Sequence, residues 1–176
     1  MGRVTRVFTR PVVVGVTLVG LLLVGLGLYW FQPWKLWVDD TVNEDLPTAT
    51  APGAGKPEQP ETLATGEFIS HEHSTSGGVR ILRLADGTLV LRLDDLDTSN
   101  GPALRVWLTD APVKPGEDGW HVFDDGRHIN AGELKGNKGS QNYTLPAGTD
   151  LNRYTSVSIW CDRFDVSFGA AELKRA

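Results

Sequence analysis

The chain of 176 residues has one cysteine, one methionine and no acidic residue before Asp39. A lone thiol excludes an intramolecular disulfide framework, a zinc site built on cysteines and an iron–sulfur cluster held by four thiolates. The only methionine is Met1, so no His/Met axial pair can hold a haem in the body of the chain. No C-x-x-C-H stretch occurs, which excludes a covalent c-type haem. Basic residues number 17 against 22 acids, for a net charge of -5. A chain of pI about 5.3 is repelled by phosphates, which argues against nucleic acid as a partner. A nucleophile elbow, a Gly-rich phosphate loop and an H-E-x-x-H pair are also missing, so stand-alone catalytic activity is not expected.

What is there is unevenly placed. Arg3, Arg6, Arg10 and Lys35 precede Asp39 and give residues 1–38 a charge of +4, whereas 13 basic against 22 acidic residues leave -9 beyond. Val12 to Phe31 is a run of 20 uncharged residues, and at about 1.5 Å per helical residue it spans roughly 30 Å of hydrocarbon. The arginines before it put residues 1–11 in the cytoplasm as a basic tail and the C-terminal domain outside, with the chain a single-pass cell-membrane protein. Tyr29, Trp30, Phe31, Trp34 and Trp37 mark the outer interface. A cleaved signal peptide shares the basic start, but its apolar stretch is shorter and ends at small residues rather than bulky aromatics. No GxxxG pair occurs among Gly15, Gly20, Gly25 and Gly27, so a dimerising face is not expected.

Residues 32–64 read as a juxtamembrane segment and spacer. Pro47, Pro52, Pro57 and Pro60, with Gly53 and Gly55, predict a semi-extended, mobile tether from Asp39 on. Residues 65–174 change to short alternating runs separated by turns, the mark of an all-β domain. Leu89, Leu91 and Leu93 alternate with Val90 and Arg92 after an Asp86-Gly87 turn that needs positive φ. Leu104, Val106 and Leu108 share one strand face and Arg105, Trp107 and Thr109 the other, as in a half-buried strand. About eight strands favour an antiparallel sandwich, with a small barrel as the nearest rival. Residues 110–127 form an irregular loop, a functional element or an insert held down by Trp120.

Two groups of residues can carry chemistry. In SVSIWC, Val157, Ile159 and Cys161 share one face, so Cys161 is either a small buried hydrophobe or a redox thiol or ligand activated by the adjacent Arg163. An intermolecular disulfide is a third role for it. His71 and His73, two apart in FISHEHS, present two imidazoles to one side of an extended segment, where they are weak metal candidates needing His121 or His128 to complete a set. The pairs Asp94-Asp95 and Asp124-Asp125 read as solvated turns rather than calcium ligands.

The order of motifs resembles the DM13 domain, a β-rich extracytoplasmic module. The resemblance rests on Gly66, Phe68 and His73 with Gly77-Gly78-Val79, on Gly101-Pro102 with Leu104, Val106 and Leu108, on ELKGNKGSQNYTLP at 133–146, and on YTSVSIWCDRFDVSFGAAEL at 154–173. It implies electron transfer or redox sensing, with Cys161 as a redox thiol or a ligand to a haem-like group, supported by Trp160, Arg163 and His73. No cytochrome-like partner domain is joined to it here, so a separate redox partner is expected. The alternative is a non-enzymatic envelope binding or adhesion domain with a structural Cys161, whose Trp107, Trp120 or Trp160 is exposed to a sugar or protein ligand.

Overall fold

Alternating apolar side chains divided by turn residues dictate strands, and nine form among the described residues. They are β1 (Glu61–Ser70), β2 (Ser76–Arg83), β3 (Leu89–Asp97), β4 (Leu104–Thr109), β5 (His128–Glu133), β6 (Lys138–Thr144), β7 (Ser156–Cys161), β8 (Val166–Glu172) and β9 (Lys174–Arg175). The computed structural model describes residues 4–50 and 58–176, and the chain divides after Lys35 into a helical unit and a β unit.

The helix α1 (Val4–Phe31) starts earlier than the apolar run. Its stretch Arg10–Phe31 is long and apolar enough to cross a membrane, and Val12, Leu21 and Leu22 stand exposed along it. Gln32 closes it with φ 44°, its N–H donating to the carbonyl of Leu28 at 2.9 Å, and Pro33, which cannot continue a helix, opens a short 3-10 turn to Trp37.

The β unit is one antiparallel sheet in the order β5-β4-β7-β8-β1-β2-β3-β6, with β9 added against β1. The corner is β1. Its first part, Glu61 to Glu67, pairs with β2, and Phe68 to Ser70 pair with β8. The sheet therefore folds into two faces over a shared core, a sandwich that nearly closes as a barrel. Ile81, Leu91, Leu93, Val106, Leu108, Val157 and Ile159 fill that core. The Asp86-Gly87 turn behaves as its residues require: Gly87 takes φ 88° and the Asp86 carboxylate accepts the Thr88 N–H at 2.9 Å.

Two departures from expectation matter for the site. Strand β1 opens at Glu61, inside the stretch that composition assigns to the spacer. Residues 39–45, read as the start of a mobile tether, lie as a strap along β6: Val42 N–H donates to Lys138 O at 2.9 Å, Glu44 N–H to Ser140 O at 2.8 Å, and Lys138 N–H to Asp40 O at 3.2 Å. The Glu44 carboxylate accepts from Lys135 Nζ at 2.7 Å and from the Asn142 N–H at 2.6 Å. Most of the proline- and glycine-rich centre of the spacer, 51–57, lies outside the described residues. The second departure is that β4 is not half-buried. Trp107 and Thr109 on its outer face are covered as well as its core face, because the loop 110–127 folds back over β4, β7 and β8.

Candidate functional site

Strand parity places Cys161 and Trp160 on opposite sides of β7. Cys161 ends the strand, paired with Leu104 on β4 and Val166 on β8, and its free thiol sits in the main core at 0% exposure. Burial pushes the thiol above its ordinary pKa, and Glu72 adds to the rise. The backbone N–H groups of Arg163, Phe164 and Ala103 oppose it without reversing it. The residue is thus held as a protonated thiol, unlike an exposed, cation-activated thiolate. The part of Arg163 that acts on the sulfur is its amide.

Trp160 faces the other way into a second, smaller core of Trp107, Ala111, Phe123 and Ala170 under the loop. The loop is tied at several points. Ser156 Oγ donates to Ala111 O at 2.6 Å, the Ser167 N–H to Trp120 O at 2.8 Å, and Phe123 is fully buried. Inside lies a run of stacked rings. His128, exposed on β5, lies flat on Trp107 at 3.8 Å and 4° between planes. Trp107 stacks on Trp160 at 4.8 Å and 20°, and Phe123 meets Trp160 edge-on at 6.4 Å. Trp107 Nε1 and Trp120 Nε1 are buried without a hydrogen-bond partner among the described residues, a state that ordinarily costs about 1–3 kcal/mol per group.

His71 and His73 do not converge. His71 packs on Phe123 at 5.8 Å. Its Nε2 lies 3.0 Å from the Lys114 carbonyl and its Nδ1 2.8 Å from Ser167 Oγ, which in turn lies 2.9 Å from Ser158 Oγ. A carbonyl only accepts, so Nε2 carries the proton and Nδ1 accepts from Ser167. His73 lies over Phe168 at 3.9 Å, with Glu72 3.6 Å from its Nε2. Burial lowers the pKa of both imidazoles, against the Lys114 carbonyl at His71 and the Glu72 charge at His73. His121 is engaged elsewhere, its Nδ1 on Asp165 O at 2.6 Å, and His128 lies on Trp107. Among the described residues no three His, Cys, Asp or Glu side chains gather as a metal site.

Other expectations resolve on contacts. Burial raises the Asp94 carboxyl, but Arg80 at 2.6 Å and Arg92 at 2.7 Å hold it below the usual carboxylate range, so Asp94 belongs to an ion-pair cluster rather than a calcium loop. Trp107 and Trp160 are buried and Trp120 is partly so. The expectation of tryptophans displayed to a ligand is therefore wrong, because the loop 110–127 lays Ala111, Val113 and Phe123 over Trp107 and Trp160 and holds Trp120 partly buried. A haem-like group does not fit beside Cys161: the sulfur is enclosed by packed side chains, and the clefts centred on Leu151 and Tyr154, on Glu67 and Val113, and on Leu63 and Leu89 are lined by other residues. The residue reading missed the His128–Trp107 stack, the Ser158–Ser167–His71 chain and the role of Phe123. The outward parity of Trp107, Ser158 and Trp160 was the available signal.

A folded-over antiparallel β domain with one buried cysteine and a second aromatic core defines the class of protein. The family model described as Electron transfer DM13 matches residues 67–173, and the chain belongs to that family. No curated protein and no solved structure matches it.

Proposed function

We propose that the protein is a membrane-anchored electron-transfer module, with α1 as a single-span anchor, the β domain on the outer side, and Cys161 as the redox position. The observation that carries this reading is the match to the electron-transfer family over residues 67–173, a stretch that holds the one cysteine of the chain, Cys161. The positive-inside bias of Arg3, Arg6 and Arg10 supports the orientation, and family membership supports the electron-transfer role.

In nanodiscs, the full chain is expected to take up and release electrons at a midpoint potential that Cys161→Ala removes while the circular dichroism of a folded β domain persists. An unchanged redox titration in folded Cys161→Ala protein would sink the assignment. A second reading has its own observation: Cys161 packs within the main core beside Leu104 and Val166, where a small hydrophobe is all that packing needs. Under it, Cys161→Ala lowers the melting temperature and leaves the redox titration as it was.

A further inference from the structure

We propose that Asn100 is a covalent modification site, deamidated by the main-chain nitrogen of Gly101, and that its conversion unfastens residues 38–40, where the strap on β6 begins.

Of the six asparagines in the chain, only Asn100 is followed by glycine. The ring closure that deamidates asparagine brings the next residue's nitrogen onto the side-chain carbon, and a Cβ on that residue crowds the approach. Gly101 has none. The side chain is already folded back over the peptide that attacks it, with the Gly101 N–H donating to Asn100 Oδ1 at 2.8 Å. Asn100 is also only partly buried, which leaves it open to water.

The amide group that leaves is the one on which the strap hangs. Asn100 Nδ2 donates to Val38 O at 3.1 Å and to Asp40 Oδ2 at 2.9 Å. The remaining ties of this corner run through Asn137, whose Oδ1 accepts the Asp40 N–H at 2.7 Å and whose Nδ2 donates to Thr98 O at 2.7 Å. The connection between β3 and β4 thus holds the strap from both sides of the position that changes.

Water is the only co-reactant. Gly101 N gives up its proton and bonds to Asn100 Cγ, the Cγ–Nδ2 bond breaks, and the amide nitrogen leaves as ammonia with that proton. Water then opens the cyclic imide at one carbonyl or the other, leaving aspartate or isoaspartate. Either product is a carboxylate that only accepts. It faces the Val38 carbonyl and the Asp40 carboxylate, so two hydrogen bonds give way to a like-charge contact. Isoaspartate also lengthens the main chain by a methylene close to Thr98, whose carbonyl seats Asn137.

The test ages the full chain in nanodiscs at mildly alkaline pH and follows it by peptide mass spectrometry and hydrogen exchange. The peptide holding Asn100 is expected to gain the mass of an acid for an amide well ahead of the other asparagines, and to split into two isomers. Converted molecules should lose protection at the Asp40 and Val42 amides while the amides of β7 keep theirs. Asn100→Gln, whose longer side chain closes its ring far more slowly, should keep its mass through the same treatment. Asn100→Asp should show the loss of protection without ageing; if that variant does not fold, the aged wild-type protein decides. Conversion of Asn100 no faster than that of the other asparagines overturns the site. Full protection at Asp40 and Val42 in converted molecules overturns the unfastening.

Discussion

His71 shows how much one protonation state can hold. Its Nδ1 must accept from Ser167 while its Nε2–H donates to Lys114 O, an arrangement open only to the neutral ring. A second proton would make Nδ1 a donor, so Ser167 Oγ would have to turn its own hydrogen away from the ring toward Gly169 O, 3.2 Å away, and the buried ring would carry a charge with no carboxylate bonded to it. Because burial lowers the folded pKa below the unfolded value of 6.5, the unfolded chain binds more protons as pH falls between the two. The stability from neutral His71 is therefore complete above the unfolded pKa and is lost as pH falls through the folded one. Between about pH 7 and pH 5, the denaturant midpoint of the wild-type protein should fall more steeply than that of His71→Gln, with His73 leaving a residual slope in the variant. Equal slopes would show that His71 does not titrate as the buried geometry requires.

Among the elements, the strap on β6 is the one whose local chemistry is most exacting. Gly139 holds φ 93°, and a Cβ added there would collide with the Val42 carbonyl. Gly139→Ala should therefore cost more than about 1 kcal/mol, through backbone strain and the displaced strap together. Hydrogen exchange should show the Val42 and Glu44 amides losing protection while β7 keeps its own; unaltered protection at those two amides would contradict the packing described. The strands themselves were readable, since alternation in Leu89 to Leu93 and Leu104 to Leu108 states which side meets the core. The strap was not, because proline, glycine and acid content describes how freely a segment moves in isolation and is silent on whether an edge strand offers it partners. The cover over β4 was hidden for a related reason. Period-two patterning reports that Trp107 and Trp160 face away from Val157 and Ile159, and an outer face filled by an irregular loop reads the same as one left to solvent. Cys161 was placed correctly by parity alone, while the imidazole pair was misjudged because the chain bends at His71, where β1 has ended.

At the level of the whole molecule, the helical unit and the β unit raise separate questions. The stretch Arg10–Phe31 passes the length and apolarity needed to span a bilayer. As an anchor it should stay with the membrane pellet through alkaline carbonate washing, and mass spectrometry of the mature protein should recover peptides from Val12–Phe31. A mature chain beginning beyond Phe31 would show that the segment is a removed signal and that the β domain is released. Membership of the electron-transfer family concerns the β unit alone, since the match lies within residues 67–173.

Those limits meet the strap in a practical way. A fragment trimmed to the matched residues would discard the first turns of β1 and all of 39–45, and with them the hydrogen bonds to Lys138 and Ser140. What remains would present β6 as a bare edge, its unpaired N–H and C=O groups open to the same edge of a second fragment. Unshielded edges of this kind drive intermolecular pairing and insolubility. The acidic stretch that looks dispensable covers that edge, and fragments that start before Asp39 should stay soluble where ones cut at residue 67 aggregate.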